Sequence, residues 1–441
     1  MATTRLNFQQ WHALSQQSPE GVVDQFLAEL QQLPEVERRT WIAATPSRDE
    51  LLQGLNNALS AKDLPLAGVP YALQDLFDVY DLPTACGAPF TELFDLPLDD
   101  SSRLYEKLTS LGACLFAKTV PSEFGIDPQG RNPTYGNCTH PANQALVCGG
   151  GAGAAARAVS AGLVPLAFGL DTAGGTRIPA AFHGLFGFRM DNNHYARDGV
   201  FPMMPSIESV GWVNHCIEDL LTTFRAFYPA VADDHPCEAP RGYLLSGLGS
   251  KLSKQVNAGL CGIARELNID EDPQLGTQLR QTLSKAAAGY QTLEARELHA
   301  IHQYWLEEYR DQYDPAVLER IERGLHCTPA EAEACAQIQQ HTRIAFSEFF
   351  ERYDYLLLPI CPEPSPDQSA WSDALESATM QLIAPASLAF LPTLIMPFSC
   401  ADGRHSAVQI ILSPGKLHIV PELLAQLSGY YADQLRCAHQ R

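Results

Sequence analysis

A chain of 441 residues, 46% hydrophobic and 18% charged, is long enough for one large core or two to three smaller ones and has the composition of a folded, soluble protein. Thirty basic against fifty-one acidic residues leave a formal charge of −21, a field that repels phosphate backbones and makes nucleic acid a poor partner. No run approaches a membrane span of about 18 apolar residues, and the start, "MATTRLNFQQWHALSQQ", lacks the basic-then-apolar order of a signal peptide, so a cytoplasmic protein without a membrane partner is expected.

In chain order, Ser18-Pro19-Glu20 marks a helix start, with a serine cap before a proline at the first helical position. Val22, Val23, Phe26, Leu30 and Leu33 then recur at helical spacing. From Pro65 to about Pro205 short apolar runs alternate with Gly and Pro. "AGVPYAL", "GACLFAKTV" and "GLVPLAF" read as buried strands, and "AAARAVSAG" as a helix between two of them. Residues from about 215 to 352 read as helical, including "ARELHAIHQYWLEEYRDQY" and "PAEAEACAQIQQHTRIAFSEFFERY". Strand character returns in "YDYLLLPI", "PTLIMPF" and "AVQIIL", and "VPELLAQLSGYYADQL" closes the chain as a helix. This order predicts an α/β fold in one domain over 1–441: a helical segment over about 1–60, sheet segments over about 64–212 and 354–414, and a helical insertion over about 215–352.

The twelve cysteines are scattered from Cys86 to Cys437 without a CxxC pair, a pattern of reduced, buried thiols and not of a disulfide framework or zinc site. Two glycine-rich turns stand out, "CGGGAGAAARAVSAG" at 148–162 and "DTAGGTR" at 171–177. Gly149-x-Gly151-x-x-Ala154 opens a helix, and Asp171 lies 22 residues after Gly149, so the first turn satisfies a loose dinucleotide fingerprint. The second turn either gathers backbone N–H groups into a nest for a carbonyl or carboxylate oxygen, or only permits a tight strand-to-helix connection.

Over nearly its whole length the chain resembles the amidase signature family, hydrolases of carboxylic amides. The resemblance rests on "PLAGVPYALQDLFDVYDLPTACGA", "GACLFAKTVPSEFG", "NPTYGNCTHPANQALVCGGGAGAAARAVSAGLVPLAFGLDTAGGTRIPAAFHGLFGFR" and "GVFPMMPSIESVGW". It continues in "YDYLLLPICPEPSP" and "SLAFLPTLIMPFSCADGRHSAVQIIL". It implies a mixed, twisted β-sheet core covered by helices on both sides. It also implies a site built from a serine nucleophile, a second serine on a cis peptide, and a neutral buried lysine that draws the proton through that bridging serine.

Here the lysine position falls on Gln74, beside Asp75. The bridging-serine position falls on Gly151 and the nucleophile position on Gly175, the 24-residue offset of the family's pattern. A glutamine amide is not a base and glycine carries no nucleophile. Loss of a serine nucleophile alone costs on the order of 10⁶ in turnover, and an oxyanion hole by itself retains roughly 10³-fold over water. The N–H groups of Ala173, Gly174 and Gly175 match the family's oxyanion-hole positions, with Asp171 and Arg177 flanking them as a structural ion pair or hydrogen-bond set, and these five are the expected ligand-binding residues. Leu146 and Cys148 stand where an arginine and a proline are usual, and Ala173 replaces the turn's first glycine.

The resulting expectation is an inactive amidase-like protein whose pocket binds a small carbonyl or carboxylate compound or supports a partner protein, with no cofactor and no metal. Two alternatives are a hydrolase with relocated chemistry at Cys148 or Cys86, and a nucleotide-binding module. Thr176 adjoins the nucleophile position but points away from it. His183 reads as a core histidine. His299 and His302, at i and i+3 on a helix face, read as packing or surface residues in the absence of converging carboxylates. Glu123 matches a family acid expected to hold a loop.

Overall fold

In the computed structural model, which describes residues 5–61, 63–90, 94, 96–191, 194–232, 239–269 and 273–439, ten strands share one sheet. They are β1 (Ile42–Ala44), β2 (Val69–Gln74), β3 (Ala113–Thr119), β4 (Leu166–Leu170), β5 (Phe186–Arg189), β6 (Val210–Asn214), β7 (Gly242–Leu244), β8 (Tyr355–Pro359), β9 (Thr393–Ser399) and β10 (His405–Leu412). Their spatial order is β1-β3-β2-β4-β6-β5-β9-β10-β8-β7. The sheet is mixed: β2 runs parallel to β3 and β4, β7 runs parallel to β8, and the remaining neighbours are antiparallel. Segments far apart in sequence complete it, because β5 pairs with β9 between Arg189 and Thr393.

The central strands are buried along their whole length, as runs covered on both faces must be. Side chains alternate between faces. Tyr71, Leu73, Leu166, Phe168 and Leu170 enter one hydrophobic core, while Ala72, Ala117 and Ala167 enter another. The second face is therefore lined with methyl groups, and this lets the small-residue helix Gly153–Ser160 pack closely beneath β2 and β4.

The expected helix start at Ser18 is present: its side chain accepts the Gly21 N–H and Pro19 is the first helical residue. Val22, Val23, Phe26 and Leu30 are buried from this helix, whereas Leu33 is its C-cap. Two expectations need correction. The segment before residue 60 includes the short strand β1, and the insertion over 215–352 includes β7, which adds to the edge of the sheet beside β8. Three-residue strands show too little alternation to stand out in sequence; their pairing is a long-range event. No helix among the described residues is long and apolar enough to cross a membrane.

Candidate functional site

Strand β4 ends at Leu170, and the chain turns through Asp171–Thr176 into the helix Arg177–His183. One carboxylate organises this turn. Asp171 accepts the N–H of Gly174 at 2.8 Å, of Thr176 at 3.2 Å and of Arg177 at 3.1 Å, and the Thr176 hydroxyl at 2.9 Å. The Arg177 guanidinium donates to it at 2.9 Å and continues to Ile383 O, Gln409 Oε1 and Ser387 Oγ. Arg189 donates to the Asp171 carbonyl at 3.1 Å and also reaches the carbonyls of Ile207 and Leu391. Burial alone raises the carboxyl's pKa; the two guanidiniums and the turn's N–H groups overcome this and hold it below the ordinary value.

Asp171 and Arg177 form the buried ion pair expected of them, and with Gly174 they serve as frame although all three were also expected among the ligand-binding residues. The Gly174 N–H is spent on Asp171, and Arg177 ties the turn to β10 and to the helix Asp373–Leu388. Thr176 faces away from the site, as expected, with its hydroxyl on Asp171. Ala173 and Gly175 keep backbone N–H groups without an acceptor among the described residues, and both border a cavity of about 20 Å³. That volume suits a single water molecule.

Gln74, Gly151 and Gly175, the positions to which the resemblance assigns the reactive groups, meet beside this cavity. A Cβ added at Gly151 would stand 3.3 Å from Gln74 Nε2 and 3.7 Å from Gly175 Cα. Gln74 Oε1 accepts the Leu170 N–H at 2.7 Å, and its Nε2 is buried without a partner among the described residues. A Cβ added at Gly175 would lie 2.3 Å from the Leu170 carbonyl oxygen, so the turn has closed into the space a side chain there would occupy. No cis peptide bond occurs among the described residues, in contrast to the bridging-serine geometry that the resemblance implies at 151. The buried Lys118 is near in sequence register, since β3 pairs with β2, but it is committed to Asp75 at 2.6 Å, Pro83 O and Thr84 Oγ1 and does not border the cavity.

The cavity's roof comes from three helices of the distant segments. Tyr290 and Glu294 lie on Ala286–Tyr309, Arg320 on Pro315–Glu322, and Met380 on Asp373–Leu388. Arg320 pairs with Glu294 at 3.3 Å and with Glu376, Tyr290 donates to Glu294 at 3.0 Å, and Trp371 Nε1 donates to Glu376. Burial works against the Arg320 charge and the two carboxylates outweigh it, holding the guanidinium firmly protonated. One cation between two acidic groups leaves the roof with no free positive charge. Glu123 accepts the N–H of Asp314, the cap of the roof helix that carries Arg320, at 3.0 Å. Burial pushes its carboxyl up to about 8.

The other candidates lie elsewhere. Cys86 is buried with its thiol toward Thr84 O, and burial and the nearby Asp75 push its pKa well up. Cys148 points to Cys138 O at 3.2 Å. Neither thiol borders the cavity. The Gly149–Gly151 turn is closely walled: a Cβ at Gly150 would meet Asp127 O at 1.6 Å, and one at Gly149 would meet the Ile178 side chain at 2.9 Å. The Asp171 carboxylate that a ribose would need is already saturated by the turn and Arg177. Leu146 is buried. His183 stacks on His140 at 4.5 Å and bonds Pro179 O, a core histidine. His302 is buried among Phe124, Phe201 and Trp305 with Nδ1 on Tyr313, and His299 joins no ligand cluster among the described residues. His215, Cys216 and Asp219 are grouped within 4.8 Å at the start of the helix Ile217–Phe227, away from the cavity, where the helix N-terminus disfavours a cation.

Signals for the roof residues were not available in sequence, because Tyr290, Glu294, Arg320 and Met380 carry no motif and reach the turn only through tertiary packing. Comparison with known proteins agrees with the geometry. The sequence model described as Amidase matches residues 27–288. Amidase 1 of Arabidopsis thaliana is 25% identical over 397 residues, covering 83% of this chain and 93% of its own length. The 1-carboxybiuret hydrolase subunit AtzE of Pseudomonas sp. (strain ADP) is 26% identical over 381 residues, covering 79% of this chain and 81% of its own. A crystal structure of an amidase superposes with a TM-score of 0.82 at 25% identity, covering 96% of this chain and 100% of the other.

Proposed function

Because the chain belongs to the amidase family, whose sequence model spans residues 27–288, we propose that it is a member without hydrolytic activity that uses the retained turn to hold a neutral carbonyl group or to support a partner protein. The observation that carries this reading is the convergence of Gln74, Gly151 and Gly175 on one spot with no base and no nucleophile among them. The closed Gly175 turn supports it further, since a reactive side chain has no space there.

The unused N–H groups of Ala173 and Gly175 suit an oxygen that brings no charge, because Arg320 is already matched by Glu294 and Glu376. A carboxylate would add an anion beside two others at an unfavourable Coulomb energy. The cavity admits one water as it stands, so a ligand enters only if the roof helices move. The partner arm draws on AtzE, which is named as a subunit.

The test is hydrolysis of a panel of short aliphatic and aromatic amides and esters, beside a Gln74→Lys, Gly151→Ser, Gly175→Ser variant. Neither protein is expected to turn over substrate, the variant because its residue 175 collides with Leu170 O. Turnover by the unmodified chain at rates comparable with active amidases overturns the reading. Acetamide is expected to raise the thermal midpoint and acetate to leave it unchanged; an equal rise with acetate sinks the neutral-carbonyl assignment.

A further inference from the structure

Ten residues before Cys148, which precedes the Gly149–Gly151 turn, lies a second cysteine, Cys138. Cys148 Sγ lies 3.2 Å from the Cys138 carbonyl oxygen, which places the two residues side by side. Both are free, and both are buried, with Cys138 retaining 9% exposure. Cys138 also borders a cavity of about 10 Å³, at the lower limit for a water-sized molecule.

A cation stands beside the pair. Arg157, on the helix Gly153–Ser160, donates to Thr139, the residue after Cys138, and pairs with Glu37 at 2.6 Å, and its charge favours the Cys138 thiolate. Arg157 Nε is buried and bonds no oxygen or nitrogen acceptor among the described residues. A guanidinium and a neighbouring S–H together stabilise a thiolate, the form that attacks an oxidant. Cys138 keeps 9% exposure and borders the small cavity whereas Cys148 keeps 3%, so Cys138 meets an oxidant first and Cys148 is the natural resolving thiol.

We propose that Cys138 and Cys148 form a peroxide-oxidisable dithiol, with Cys138 the attacking sulfur and Cys148 the resolving one. The Cys138 thiolate attacks one oxygen of hydrogen peroxide, the O–O bond breaks, and hydroxide leaves, giving a Cys138 sulfenic acid. Cys148 then attacks that sulfur, its proton going to the leaving hydroxyl, so a disulfide forms and water departs. The sum is two thiols and one peroxide to one disulfide and two waters. The bond closes the loop 138–148 and fixes the residue from which the glycine turn beside the candidate site begins.

The experiment titrates the reduced full-length chain with hydrogen peroxide until the exposed Cys261 is half consumed, then blocks free thiols by alkylation and maps peptides by mass spectrometry. The expected product is a linked Cys138–Cys148 pair with a mass decrease of about 2 Da, reversed by dithiothreitol. Cys148→Ser is expected to leave a Cys138 sulfenic acid that dimedone traps, and Cys138→Ser to abolish oxidation at 148. If both thiols of the unmodified chain are still fully alkylated when Cys261 is half consumed, the proposal fails, whatever the variants do.

Discussion

Gly175 carries the sharpest residue-scale consequence. A methyl group there would lie 2.3 Å from Leu170 O, whereas one at Gly54, in the helix Arg48–Ser60, would meet nothing within 4 Å. Gly175→Ala is therefore expected to destabilise the protein by about 1–3 kcal/mol through forced backbone shifts, and Gly54→Ala to stabilise it by about 0.5–1 kcal/mol through helix propensity. Urea unfolding of the two variants checks this, and equal midpoints would falsify the closed-turn geometry. Asp171→Ala is expected to cost about 3–5 kcal/mol, because it leaves Arg177 and Arg189 buried and unpaired. The positions of Gln74, Gly151 and Gly175 were legible in the sequence, since each falls within a quoted motif. That Gly174 spends its N–H on Asp171 was not legible, because the choice between two acceptors for a turn N–H depends on which way the carboxylate folds.

At the scale of elements, the roof decides what reaches the cradle. The helices Ala286–Tyr309, Pro315–Glu322 and Asp373–Leu388 are joined through Arg320, and Glu123 holds Asp314, the N-cap of the middle one. Arg320→Ala leaves Glu294 and Glu376 facing each other without their shared cation. It is expected to lower stability by about 1–3 kcal/mol and to speed amide hydrogen exchange over residues 286–322. Unchanged exchange in that segment, with an unchanged unfolding midpoint, would show that the ion pairs do not hold the roof. Helices in this region were visible in sequence, as with "PAEAEACAQIQQHTRIAFSEFFERY", which forms the helix Pro329–Phe350. Their assembly over the turn was not, because contacts between Arg320 and Glu294 or Glu376 involve no local pattern.

For the whole molecule, buried titratable groups set opposite limbs of the stability profile. His215, His302 and His405 are depressed to about 4, 3 and 4 by burial, and His140 and His183 are also lowered. Their contribution is present above the ordinary histidine value of about 6.5 and is lost as pH falls toward their folded values. Burial raises Glu123 to about 8 and Glu208 and Asp219 to about 7. Their contribution is complete below the ordinary carboxylate value and is lost as pH rises through 7 and 8. Stability is expected to peak near pH ~6.5 and to fall on both sides. Unfolding midpoints at several pH values test the profile, with Glu208→Gln expected to flatten the alkaline limb; a midpoint that climbs steadily from neutral to alkaline pH contradicts it.

The sequence by itself determined the strands of the central sheet, the helical insertion and the family, and it put Gln74, Gly151 and Gly175 in the segments on which the resemblance rests. These follow from local composition and from motifs whose order along the chain is preserved. Only the tertiary structure decided that Gly174 is frame, that Ala173 and Gly175 alone of the expected N–H donors face the cavity, and that Arg320 and its carboxylates close it. It also brought Cys138 and Cys148 together beside Arg157. The physical reason is the same in each case: hydrogen bonds and ion pairs are allotted among competing partners by three-dimensional distance, and spacing along the chain carries no record of that competition.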